Sequence, residues 1–384
     1  MGHRLRRAAL GAAKLEPLIV ALAAPLLLFP ALRASWTLAA LVALAGVWLC
    51  SWIGTGRPAT PTALDLSLLI LLAMVPVSVW ASAFPALTLP KLTGLVLGTA
   101  VFLATMRATS RPRGLALAVV AYLGLGLGLS VVGLLAVRWS SKLLALQPLL
   151  GQMPRLLQLL PGAEGGINAN ELGGTLTLFV PVSLAAAGLS FGGRRWLPWA
   201  ARLGVLLLAV FFGILLVFSQ SRSAWAGVAA GLGAMVGLRW PRLVWLMLAL
   251  ALLLALGLLV TGPLEFVQAA YEAGNPARAD TAVGTVSLAG RVEIWNRALY
   301  AIQDFAFTGT GLGTFRRVVH LLYPLFLVAP DVDVGHAHNV FLQVALDLGL
   351  PGLVAYLALV GTVLWIGLRL VRRPDLRQRR GVDQ

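Results

Sequence analysis

The chain alternates apolar runs of about twenty residues with short polar stretches. The runs fall at 17–33, 36–53, 64–84, 88–106, 114–137, 170–190, 198–218, 222–238, 241–262 and 349–370. A helix rises about 1.5 Å per residue, so a run of this length crosses the roughly 30 Å hydrocarbon layer of a bilayer. The pattern predicts an all-α polytopic integral membrane protein with about ten transmembrane helices, twelve at most. Two stretches between runs are too long to be plain connections. Residues 138–169 place Leu143, Leu144, Leu149, Leu150, Leu156 and Leu157 among polar residues, which predicts short helices lying on the membrane surface. Residues 263–337 form the one sizeable non-membrane segment. Within it Ile294, Trp295, Ala298, Leu299 and Ile302 make an apolar stripe, with Glu293, Asn296, Arg297, Tyr300 and Gln303 opposite. That spacing predicts a helix lying flat at the interface, anchored by Trp295.

Composition narrows the class. Of 384 residues 59% are hydrophobic and only 11% charged, which excludes an ordinary soluble domain, about a quarter of whose residues are charged. It also excludes disorder, which needs a polar and charged chain. The single cysteine, Cys50, lies inside an apolar run, so there is no disulfide framework and no cysteine metal cluster. A net charge of +16 would suit nucleic acid, but the positions of the charges give another reason for it. With the N-terminus inside, 19 of the 30 Lys and Arg residues and four of the 14 acids fall on the cytoplasmic side. This is the positive-inside asymmetry, and it predicts that both termini are cytoplasmic. The basicity then reports topology and attraction to anionic membrane lipids, with no nucleic acid as partner. The first run follows Arg4 to Lys14 but lacks a small-x-small cleavage site, so it is expected to be a retained helix. The expected organisation is a helix bundle over 1–262, an extracytoplasmic loop with interfacial helices over 263–337, and a terminal piece over 338–384. That last piece holds a histidine-led helix, the final span and a basic cytoplasmic tail.

Ionisable residues inside the runs are scarce and no internal repeat is visible, unlike in many ion-coupled transporters. The polar chemistry gathers at the outer ends, in four clusters. They are Asn168-Ala-Asn170-Glu171; Ser219-Gln-Ser-Arg222; Gly290-Arg291-Val-Glu293-Ile-Trp295 with Gly309-Thr-Gly311-Leu-Gly313-Thr-Phe315; and Gly335-His336-Ala-His338-Asn339. Nine residues after Asn339 comes Gly349-Leu-Pro-Gly352. A histidine followed by Asn, Ser or Gln, nine residues and Gly-x-x-Gly is the signature of the O-antigen ligase and O-antigen polymerase superfamily of membrane glycosyltransferases. The chain resembles that superfamily over about 168–352, where the clusters stand in the expected order.

The resemblance implies transfer of a glycan from a polyprenyl-diphosphate carrier to an acceptor hydroxyl, such as one on lipid A core. It implies an outward-facing site in the inner membrane, no metal and no other cofactor. The residues suit that chemistry. Displacement at the anomeric carbon needs a base for the hydroxyl proton and fixed positive charge for the leaving diphosphate. His338 suits the first, since an ordinary imidazole is largely neutral at neutral pH. Arg222 and Arg291 suit the second, because guanidinium stays charged and binds phosphate oxygens in bidentate fashion. One base and no second carboxylate nucleophile predict inversion at the anomeric carbon. His336, Asn339, Asn168, Asn170, Arg316 and Arg317 are candidates for binding or orienting substrate.

Each residue also has a plainer reading. Arg222 could snorkel to headgroups, Arg291 could be an interfacial cation, Arg316 and Arg317 could contact headgroups, and Asn168 and Asn170 could line a helix start. Asp331, Asp333, His336 and His338 form a run of plausible divalent-metal ligands, the mark of a metal-dependent hydrolase. Ser221 and Ser223 lack any spacing to His338 that argues for a protease triad. Two further functions compete with ligation: polymerisation of lipid-linked repeats, and transport of a lipid-linked glycan.

Overall fold

Apolar runs in a bilayer become helices because intrahelical bonds alone satisfy every backbone N–H and C=O there. The computed structural model describes residues 3–28, 30, 34–57, 60–109, 112–139, 146–153, 156, 166–188, 190–191, 194–195, 198–240, isolated positions from 242 to 256, 288–329 and 332–372. In chain order the helices begin with α1 (His3–Ala13), α2 (Glu16–Leu28), α3 (Ala34–Thr55), α4 (Asp65–Ala81), α5 (Pro85–Ala108) and α6 (Pro112–Ala136). There follow β1 (Val137–Arg138), α7 (Gln147–Leu150), β2 (Ile167–Asn168), α8 (Ala169–Gly188), β3 (Ser190–Phe191), β4 (Arg194–Arg195), α9 (Trp199–Phe218) and α10 (Arg222–Arg239). The last helices are α11 (Leu288–Asp304), α12 (Phe315–Leu322) and α13 (Val340–Arg372).

Among the described residues six helices are long and apolar enough to cross a membrane: α3, α5, α6, α8, α9 and α13. The pair α1–α2, bent by 51° at its break, makes a seventh if counted as one span. These helices make a multi-pass membrane protein. The expected run 64–84 is α4, a shorter apolar helix of 17 residues. The run 222–238 is α10, whose terminal arginines and several glycines leave it less apolar than a spanning helix. The run 241–262 lies largely outside the described residues, as do 263–287 of the long loop and most of 154–165.

The chain divides into two compact units, one of Met1–Gly114 with Thr281–Leu370 and one of Leu115–Asp280 with Val371–Gln384. In the first, Val20, Leu27, Leu44, Leu97 and Ala100 pack α2, α3 and α5 together. Arg107 near the end of α5 pairs with the fully buried Glu16 at 2.5 Å. A second core of this unit joins α11, α12 and the start of α13 through Ile294, Ala298, Phe315, Val319, Val334 and Leu346.

In the second unit Leu172, Leu176 and Phe179 of α8 pack against Phe212 and Leu215 of α9 and Val228 of α10. Lipid tails are as apolar as leucine, so close approach and not water exclusion binds such helices. Glycines permit it: a Cβ at Gly126 of α6 would lie 2.6 Å from the Phe179 ring. The strands are two-residue pairs, β1 parallel to β2 and β3 antiparallel to β4.

Candidate functional site

The second core of the first unit is assembled on α11. Its buried face carries Ile294, Ala298 and Ala301, spaced four and three residues apart, while Leu299 is exposed. The predicted stripe is therefore rotated, and Glu293, expected on the polar face, is buried. Its carboxylate accepts three backbone N–H groups, from Phe326 at 2.6 Å, Leu327 at 2.9 Å and Val328 at 3.2 Å. Just before that nest, Arg297 Nε donates to the Pro324 carbonyl at 2.9 Å and the Tyr323 hydroxyl to Asp304 at 2.6 Å. Burial, with Asp304 beside it, raises the Tyr323 hydroxyl well above the usual phenol range. Trp295 is not a free membrane anchor: its indole N–H donates to the Ala337 carbonyl at 2.9 Å. Arg291 lies one helical turn before it, with its Nε buried and lacking a hydrogen-bond partner.

The loop leading into α13 carries the histidines. His338 adopts a left-handed backbone with φ of 50°, a conformation uncommon for any residue with a Cβ. Its N–H donates to Nδ1 of His336 at 3.1 Å, and the two rings meet edge to face at 4.2 Å. His336 is exposed and His338 half-buried. Burial, the nearby His336 and the Arg291 guanidinium together lower the His338 imidazole to about 4. It is neutral at neutral pH, with a lone pair on one ring nitrogen. Asn339 serves the backbone: its Oδ1 accepts the N–H groups of Phe341 at 2.9 Å and Leu342 at 3.3 Å, capping α13.

The glycine motifs are one piece of backbone architecture. Gly349 has φ of 70° and interrupts α13, and a Cβ there would collide with the Phe307 carbonyl oxygen. Across the break the Leu350 N–H reaches the Ala306 carbonyl at 2.7 Å, and the Thr310 N–H reaches that of Leu346 at 2.7 Å. The turn at Gly309 and Gly311, both at positive φ, thus docks its backbone against the interrupted helix. Asp347 completes the joint, its Oδ1 accepting from the Gly313 N–H at 2.9 Å and from Gln343 Nε2 at 2.8 Å. Sequence reasoning misses Gln343, although Asn339, Gln343 and Asp347 repeat every four residues along an apolar helix. That polar stripe is the signal that could find it.

Arg316 and Arg317 open α12. Arg316 forms an ion pair with Asp333, and that guanidinium holds the Asp333 carboxyl below the usual carboxylate range. Arg317 is exposed and adds to the same effect. Of the run Asp331, Asp333, His336 and His338, Asp331 lies outside the described residues. Among those described, no three His, Cys, Asp or Glu residues gather as metal ligands.

Asn168, Asn170 and Arg222 belong to the second unit. Asn168 is exposed in β2, and its Oδ1 accepts the Asn170 N–H at 2.9 Å, starting α8. Ser221 precedes Arg222, the exposed first residue of α10. Gly173 brings the α8 start and this hairpin together, since a Cβ there would sit 2.6 Å from Ser219 Oγ and 2.9 Å from Ser221 Cβ.

Residues 207–357 match the family model of O-antigen ligase. This segment is an O-antigen ligase domain. The domain takes in Arg222, Arg291, Arg316, Arg317, His336, His338 and Asn339, and it leaves out Asn168 and Asn170. The match over this segment supports a ligase- or polymerase-type membrane glycosyltransferase in general. Lipid-linked glycans and lipid A-type acceptors are the partners that membership implies in general. No curated protein and no solved structure matches the chain.

Proposed function

We propose that this protein transfers a glycan from a polyprenyl diphosphate to an acceptor hydroxyl on the outer face of the inner membrane, with both termini in the cytoplasm. His338 is the base. The observation that carries the proposal is a half-buried imidazole kept neutral beside a guanidinium. A neutral imidazole can take the acceptor proton as the oxygen attacks the anomeric carbon. The C–O bond to the diphosphate breaks as the new C–O bond forms, with inversion, and the polyprenyl diphosphate leaves. Arg291, whose buried Nε lacks a hydrogen-bond partner, supplies fixed positive charge and a donor for the leaving diphosphate. Arg222, in the second unit, is a further candidate phosphate-binding cation, on the strength of its exposure and of the family match that includes it. His336 orients His338 through its Nδ1.

The test is a proteoliposome reaction with a polyprenyl-diphosphate-linked glycan, run with and without lipid A core, for wild type and His338→Ala. Glycan on the core, lost in the variant, is the expected result. Lengthening of the lipid-linked glycan without core assigns the same site to a polymerase. Equal activity in both proteins overturns the base assignment. Movement of the donor across the bilayer without any new glycosidic bond overturns the transferase reading in favour of transport.

A further inference from the structure

Neither Trp295 nor Gln343 touches a position the reaction above requires, yet both close on the residue between the two histidines. Ala337 is fully buried. Its carbonyl accepts the Trp295 indole N–H at 2.9 Å, and its N–H donates to Gln343 Oε1 at 2.9 Å. The orientation of the Gln343 amide is set by chemistry, because a backbone N–H can only donate and so must meet the amide oxygen. Gln343 therefore turns its oxygen to Ala337 and its nitrogen to Asp347, where Nε2 donates to Oδ1 at 2.8 Å. Asp347 is held in turn by the Gly313 N–H at 2.9 Å, and its own carbonyl accepts the Ser78 hydroxyl at 2.5 Å. The chain of bonds runs from the glycine turn through Asp347 and Gln343 to the peptide between His336 and Ala337.

We propose that Trp295 and Gln343 are positioning residues for His338. Gln343 holds the N–H of the 336–337 peptide and Trp295 the carbonyl of the 337–338 peptide, and together they hold His338 in its left-handed backbone conformation. Such a conformation persists only when its surroundings over-determine it. Here the constraint is met three ways: by the two-sided grip on Ala337, by the His338 N–H on His336, and by Asn339 capping the following helix. Without the clamp the residue relaxes towards an ordinary conformation and the imidazole swings away from its working position. The inference rests on His338 being the base, and its test separates the two claims.

Trp295→Phe keeps an aromatic ring but removes the donor. Gln343→Glu keeps an acceptor for Ala337 but sets a second carboxylate against Asp347. In the proteoliposome reaction Trp295→Phe is expected to lower kcat by about 10- to 100-fold, the scale of a displaced catalytic group, with KM for the lipid-linked donor within about twofold. Gln343→Glu is expected to lower kcat on the same scale, again with KM for the lipid-linked donor little changed. Adding Trp295→Phe to His338→Ala is expected to cost nothing further, because there is no base left to place. Wild-type kcat in both single variants, with His338→Ala inactive, overturns the positioning role alone. A further loss in the double variant overturns it as well, in favour of a general structural role. Full activity of His338→Ala overturns the base assignment, and the positioning claim with it.

Discussion

The carboxylate of Glu293 accepts three backbone N–H groups in the second core of the first unit, and its removal has a calculable effect. Three buried or half-buried N–H donors converge on it, two within 3 Å and one at 3.2 Å. In Glu293→Ala those donors lose their acceptor, though Phe326 and Leu327 are exposed enough for water to replace part of it. Taking about 1–2 kcal/mol per bond, the lower part of the range for an unsatisfied donor, and the long bond at half weight gives a total of about 2.5–5 kcal/mol. The bonds of Tyr323 to Asp304 and of Arg297 to Pro324 do not involve Glu293 and bound the opening on its N-terminal side. Hydrogen exchange in nanodiscs reads this directly. At about 1.4 kcal/mol per decade, the amides of Phe326, Leu327 and Val328 should exchange roughly 60- to 4,000-fold faster. Glu293→Gln, which retains one acceptor oxygen, should show about half the effect on a logarithmic scale. Less than a threefold change in Glu293→Ala would refute the nest as the element holding this segment.

Other perturbations have simpler readings. Gly349→Ala should prevent accumulation of folded protein, since its Cβ would meet the Phe307 carbonyl at a positive φ; Gly335→Ala, with open space around it, should fold normally, as size exclusion in detergent will report. Asn339→Ala should destabilise the start of α13 by about 1 kcal/mol and Asn339→Ser by little, a difference visible in thermal melts. The Arg316–Asp333 pair is about half exposed on both sides, so Asp333→Asn should change stability by under about 1 kcal/mol. Because the Asp333 carboxyl is lowered, that small contribution is present at neutral pH and fades as acid protonates it, which a melting series in pH would follow.

The legible parts of this protein are those in which sequence has one physical outcome. A long apolar run must be a helix in a bilayer, and α3, α5, α6, α8 and α9 lie where the runs fall. Runs with breaks are harder. Apolarity predicts the last span from 349, but α13 starts at Val340, and Gly349 is the interruption inside it. Apolarity cannot report such a break, because it depends on the glycine turn that docks there. Spacing and resemblance select the histidine, the arginines and the glycines without revealing what each one holds. Asn339 and Asn168 start helices, and Arg316 pairs with Asp333. Trp295 reads as a membrane anchor because helical periodicity shows which residues are apolar, but not that an indole N–H has an acceptor forty-two residues away. Gln343 and Glu293 are polar residues whose partners include backbone groups of other segments, and no local pattern encodes those.

The central claim is that His338 acts as a neutral base, and the pH dependence of kcat/KM for glycan transfer tests it most directly. Protonation removes the lone pair that accepts the acceptor proton, so activity must fall on the acid side of the His338 titration. With burial, His336 and Arg291 lowering that imidazole to about 4, the rate should stay level from neutral pH to about 5 and fall with an inflection near 4. His336→Ala should move that inflection upward. An inflection at the ordinary imidazole value of about 6.5, or an acid limb unchanged in His338→Ala, would contradict the account.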